Sequence, residues 1–127
     1  MARTLCKLLG VVLLIVGLVG FAMPNLLGMH LTPIHNIIHL LTAAIALYLG
    51  FVGSAEGART FCAVFGAIYM LLGILGFAAP GVVASIIGHP GPVSSGDLTP
   101  DNAVHLLLAI AFLAAGLMRS PAVVPAR

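Results

Sequence analysis

Four near-continuous apolar runs, residues 5–23, 36–54, 60–79 and 102–118, restrict this chain to very few folds. Each is roughly 17 to 20 residues long, enough for a helix rising 1.5 Å per residue to cross a ~30 Å hydrocarbon layer. Lipid offers no hydrogen bonds to the backbone, so the runs must close their own as helices. A membrane β-barrel would show ~10-residue segments of alternating polarity, and the chain has none. Composition agrees: 61% of the 127 residues are hydrophobic and 6% charged, against roughly 25% charged in a soluble domain. Mean hydropathy is +1.23. The sequence predicts an all-α polytopic membrane protein, one membrane domain with four transmembrane helices at about 5–23, 33–54, 60–79 and 100–118.

The basic residues orient it. Arg3 and Lys7 open the first run, Arg59 lies between the second and third, and Arg119 and Arg127 follow the fourth, while 24–35 and 80–101 contain no Lys or Arg. The positive-inside rule then places both termini in the cytoplasm. The net charge of +2 reports orientation and gives no footprint for nucleic acid. Gly20 and Ala22 followed by Met23 and Pro24 make a poor cleavage site, so the first run reads as a span and not as a leader. Trp is absent, which leaves Tyr48 and Tyr69 as candidates for an interfacial belt.

The chain also reads as a duplication. Residues 3–24 laid over 59–80, an offset of 56, give nine identities: Arg3/Arg59, Thr4/Thr60, Cys6/Cys62, Gly10/Gly66, Gly17/Gly73, Gly20/Gly76, Phe21/Phe77, Ala22/Ala78 and Pro24/Pro80. Residues 36–50 over 102–116, an offset of 66, match Asn36/Asn102, His39/His105, Leu40/Leu106, Leu41/Leu107, Ala43/Ala109, Leu47/Leu113 and Gly50/Gly116. Repeats of 3–54 and 59–118, each with two spans, enter the membrane in the same sense. They predict a four-helix bundle with a pseudo-twofold axis along the membrane normal. The ten extra residues of the second copy fall in "HPGPVSSGDLTPD", a Pro, Gly and Ser cluster that reads as irregular.

Helical angles sort the faces. At 100° per residue Cys6, Gly10, Gly17 and Gly20 form one narrow stripe of small residues, as do Cys62, Gly66, Gly73 and Gly76, and such stripes let helices approach closely. Asn36, His39, Ala43 and Gly50 cluster within about 60°, and Asn102, His105, Ala109 and Gly116 repeat them, so both polar pairs are expected to face into the bundle. Thr32-Pro33 and Thr99-Pro100 are helix-start signals, Thr as cap and Pro in the first turn. Asp101 suits the positive end of that helix dipole.

The "NIIHLL" and "DNAVHLLLAI" segments and the "ARTFCAVFGAIYMLLGILGF" run resemble an uncharacterised family of small four-helix bacterial membrane proteins, classed as a domain of unknown function. The resemblance covers most of 3–118. It implies a multi-pass protein of the bacterial inner membrane and brings no reaction, cofactor or catalytic residue.

Several readings of the polar pairs stay open. Asn36 and His39 can hydrogen-bond across helices to Asn102 and His105, as packing glue. His39 and His105 can instead ligate haem, copper or zinc, or line a pocket for a quinone, lipid or small solute. Haem fits less well, because the outer side offers no Lys or Arg to its propionates. His30, His35 and His89 extend the cluster on the same side as weaker candidates, together with Asp101. Cys6 and Cys62 lie roughly 25 Å away on the cytoplasmic side, outside reach of the His site, and read as small packing residues. Glu56 and Arg59 read as an exposed ion pair. No catalytic set emerges: the spans hold no carboxylate, and there is no Ser–His pair or phosphate-binding loop. The glycine stripes point to a non-enzymatic membrane component acting through packing against the bilayer, a second copy or another membrane protein.

Overall fold

The computed structural model describes residues 1–118; Arg119 and Arg127 lie outside the described residues. All regular secondary structure among these is helical, with α1 Ala2–Ala22, α2 Pro33–Phe51, α3 Ala55–Ala78, a short α4 Pro80–Ile86 and α5 Thr99–Leu117, plus a 3-10 turn at Leu26–Gly28. α1, α2, α3 and α5 are each long and apolar enough to cross a membrane. Side chains such as Ile15, Leu41, Leu71 and Leu107 project outward, as a lipid-facing surface requires.

α1 packs chiefly on α2, and α3 on α5, while contact between these two hairpins is sparse. The cause lies in the small residues. A Cβ on Gly10 would stand 2.8 Å from Leu47 Cγ and one on Gly66 2.7 Å from Leu113 Cγ. On Gly17 and Gly73 it would meet Leu40 and Leu106. Gly20 lies under the Asn36 amide and Gly76 under the Asn102 amide, each with no room for any side chain. The Asn oxygens thus rest on glycine backbone, the geometry of Cα–H···O contacts between close helices. Dispersion gained along these two seams holds each hairpin, because lipid tails remove the hydrophobic force between helices.

Several boundaries differ from the sequence expectation. α2 stops at Phe51, where Arg3 donates from Nε to Gly50 O (3.2 Å) and from Nη2 to Phe51 O (2.8 Å), satisfying carbonyls at the helix end. Ser54 accepts the Gly57 N–H at 3.0 Å, so the "AEGAR" segment is the first turn of α3 instead of a loop. Glu56 and Arg59 make no ion pair there. Thr32 caps α2 by accepting the His35 N–H (3.1 Å). Thr99, in contrast, is the first residue of α5 and donates to Ser95 O (3.1 Å), so it caps nothing.

The second connection is not wholly irregular. Pro80 in its first turn starts α4, and Val83 and Ile87 bury against Leu98, Leu75 and Val93. Gly88, at φ 69°, lets the chain leave α4 where a Cβ would strike Ile34. The Thr32 hydroxyl also donates to Ile87 O, tying the start of α2 to the end of α4.

Candidate metal centre

The Thr32 cap fixes the rotation of α2 at its first turn. His35 and His39, one helical turn apart, then share a face, and both are buried, as is His105 on α5. The His35 ring centroid lies 4.3 Å from that of His39 and 5.7 Å from that of His105. One ring nitrogen from each of the three residues falls within 4.8 Å of the other two. A tetrahedral site with metal–nitrogen bonds near 2.0–2.1 Å sets its ligands ~3.3 Å apart, so rotamer adjustments of ~1 Å would complete three of four positions.

Surrounding polar groups assign the protons. His35 Nδ1 donates to His30 O at 2.8 Å. A carbonyl only accepts, so Nδ1 carries the hydrogen and Nε2 keeps its lone pair for a ligand. His30 Nδ1 meets Asp101 Oδ2 at 3.1 Å, and the His30 backbone N–H donates to both carboxylate oxygens at 3.0 and 3.1 Å. Asp101 Oδ1 also stands 4.0 Å from His35 Nδ1. A buried carboxylate in the first turn of α5, held by N–H donors, supplies negative charge that a cation at the trio would balance.

His39 Nδ1 and His105 Nδ1 are buried and without a hydrogen-bond partner among the described residues. Orphaned imidazole nitrogens in an apolar surrounding are costly, and a metal ion would satisfy them. The donor set suits zinc or copper, for which neutral imidazole is a favoured ligand. It does not suit a porphyrin between His39 and His105, because the His35 ring lies beside both.

Two clefts flank the trio. One runs between α1 and α5, about 60 Å³, past Leu13, Val16, Val104 and Leu108. The other runs between α2 and α3 beneath α4, about 280 Å³, past Ile38, Ile68, Tyr69 and Leu72. His35, His39 and His105 line both. Val12/Ile68, Leu13/Tyr69 and Val16/Leu72 are related by the offset of 56, and Ile38/Val104 by that of 66, so equivalent positions build the two clefts.

The sequence candidates distribute unevenly. His39 and His105 come together, but His35 stands between them with equal claim. Asn36 and Asn102 belong to the glycine seams: Asn36 Nδ2 donates to Leu31 O (3.1 Å), and the Asn102 amide makes no hydrogen bond among the described residues. No hydrogen bond joins Asn36 or His39 to Asn102 or His105 among the described residues, so the expected glue does not form. His30 and His89 lie nearer the surface with ring centroids 5.1 Å apart.

Sequence reasoning passed over Tyr69 and Thr42. Tyr69 is buried and stacks on His105 (5.4 Å, 22°), so it is no belt residue, whereas Tyr48 is exposed. Thr42, one turn beyond His39, donates to Ile38 O at 2.8 Å. The signal for His35 was present as the four-residue His35–His39 spacing, which places two imidazoles on one helix face. At the opposite end of the bundle Cys6 Sγ and Cys62 Sγ meet at 3.6 Å, both buried and free.

No curated protein and no solved structure matches this chain. A family model described as a domain of unknown function (DUF4383) matches residues 3–118, a stretch that takes in all four spans and all five histidines. Four apolar helices, a helical bundle and a match over nearly the whole described chain agree, and the chain belongs to the DUF4383 family.

Proposed function

We propose that this protein binds one transition-metal ion, zinc or copper, inside the membrane bundle through His35, His39 and His105. The observation that carries this reading is the convergence of three buried ring nitrogens within 4.8 Å. Tautomer control of His35 by the His30 carbonyl and the nearby Asp101 carboxylate support it. Three protein nitrogens leave a fourth position open, and the α2–α3 cleft offers room beside it for a small apolar molecule. The test is metal analysis of the purified full chain, with Co(II) as a spectroscopic stand-in. One tightly held equivalent with tetrahedral visible bands, abolished by His39→Ala and by His105→Ala, is expected. Absence of stoichiometric metal in the unaltered protein overturns the reading.

The site lies at the end of the bundle away from the N-terminus, and we place that end on the outer face of the bacterial inner membrane. Arg3, Lys7 and Arg59 at the other end support this orientation. In a Cys6→Ala, Cys62→Ala background, an impermeant thiol reagent on intact cells should modify Ser94→Cys and spare Glu56→Cys. The reverse pattern would invert the topology.

A packing role with a second copy or another membrane protein finds less support. The six seam glycines are buried inside the chain's own hairpins, so these stripes are already used within the chain.

A further inference from the structure

The inner trio poses a problem of access. Apart from the histidines and Asp101, both flanking clefts are lined by apolar side chains, most of them on helices long and apolar enough to cross a membrane. A hydrated divalent ion cannot enter through such walls, because shedding its water into hydrocarbon is prohibitively costly. It must arrive from the loop end, where the two remaining histidines stand.

We propose that His30 and His89 form a second, outer site that captures the same class of divalent ion from water and passes it to the inner trio. This inference rests on the reading of the trio as a metal site. Four observations carry it. The His30 and His89 rings lie edge to face, centroids 5.1 Å apart, and both residues are partly exposed. They border a surface pocket of about 240 Å³ with Asn25 and Thr32. His30 Nδ1 is engaged by Asp101, and His89 Nδ1 by Gly91, whose O lies at 3.1 Å and whose N–H lies at 3.3 Å; Nε2 of each imidazole makes no hydrogen bond among the described residues and is the nitrogen left to a ligand when the hydrogen sits on Nδ1. Asp101 also touches both sites, 3.1 Å from His30 Nδ1 and 4.0 Å from His35 Nδ1, so one buried carboxylate lies along the step from outer pair to inner trio.

Charge at the mouth agrees. Asp97 is held below the ordinary carboxylate value by hydrogen bonds from the Ser94 backbone and hydroxyl, with His30 and His89 nearby favouring its ionised form to a lesser extent. An anionic side chain therefore stands in the same connection that carries His89. With two imidazoles and water completing its shell, the outer site holds an ion loosely, as a point of transfer requires, while three imidazoles hold it tightly.

The experiment is a Co(II) titration and stopped-flow binding on the purified full chain, comparing the unaltered protein with His89→Gln and with His30→Asn/His89→Asn. His89→Gln leaves the His30–Asp101 contact intact and so guards against a folding artefact. The unaltered protein should take one tight and one weaker equivalent. Both variants should lose the weaker equivalent, still fill the trio to one equivalent, and fill it about tenfold more slowly, the lower end of what removing a supporting group does to a metal site. Unchanged rate and stoichiometry in both variants overturn the outer site and leave the trio standing. A single equivalent in the unaltered protein that His39→Ala removes has the same meaning. If the unaltered protein takes no Co(II), the trio and the outer site fall together.

Discussion

Residues 35–39, His-Asn-Ile-Ile-His, and residues 101–105, Asp-Asn-Ala-Val-His, occupy the opening turns of α2 and α5, the former two residues after Pro33 and the latter directly after Pro100. At the second position of each, Asn sits over a glycine of the neighbouring helix, and at the fifth, His turns toward the bundle axis. The first position breaks the likeness: His35 joins the nitrogen cluster, while Asp101 accepts hydrogen bonds from His30 behind it. The flanks diverge in parallel, with Tyr69 where the first copy has Leu13 and Thr42 where the second has Leu108. Positions that build the seams kept their residues and positions around the trio did not. A symmetric pair of imidazoles thereby became an asymmetric set of three with a carboxylate behind it, polar on one side and apolar on the other.

Making the two starts alike should break the site. His35→Asp gives both helices the Asp-Asn-x-x-His pattern and should weaken Co(II) binding by more than about 100-fold, since removing a ligand exceeds the 10- to 100-fold typical of losing a group that merely orients one. Unaltered affinity by competition titration would show that the difference between the two starts is inconsequential. Asp101→Asn keeps the shape and removes the negative charge; the same titration should show a loss of about 10- to 100-fold. An effect as large as that of His35→Asp would move the carboxylate from supporting role to ligand.

The seams sharpen the comparison at smaller scale. Asn36→Ala empties the space over Gly20 and frees the Leu31 carbonyl, whereas Asn102→Ala empties the space over Gly76 and removes an amide with no hydrogen bond. Unfolding in detergent should show Asn36→Ala the costlier by about 1 kcal/mol, the net worth of one such bond. Equal losses would mean that packing alone holds both seams. The smallest effect is expected at Tyr69→Phe. Its hydroxyl, buried without an ordinary hydrogen-bond partner, should be removable for less than about 0.5 kcal/mol in the same assay. A larger loss would show that the polar flank is a working part of the cleft.

Most of the architecture was legible because it depends on local pattern. Run lengths set four spans, Thr32-Pro33 set the start of α2, and the glycine spacing on α1 and α3 set which faces close. The rest depended on contacts between distant segments or on competing signals. Residue 35 aligns with Asp101, so the pattern shared by the two copies contains Asn36 and His39 but not the His35–His39 spacing. Tyr69 reaches His105 only through the crossing of α3 and α5, which no residue near it announces. α4 was hidden by its length, seven residues between Ala79 and Ile87, too short to display a period. Thr99 departs from the cap pattern for a local reason: α5 already begins at Thr99, and its hydroxyl donates back to Ser95 O.

Dense packing within each hairpin and sparse packing between them means that the two halves can each insert and zip as separate units before they meet. The trio draws two imidazoles from one half and one from the other, so it comes into being only at the last step of assembly. An ion bound there would act as a clasp across the weakest seam of the molecule, adding to its stability in proportion to the logarithm of free metal. Metal supply would then govern how long the two halves stay together, and a chain made in metal-poor cells would be the one most readily pulled apart and degraded.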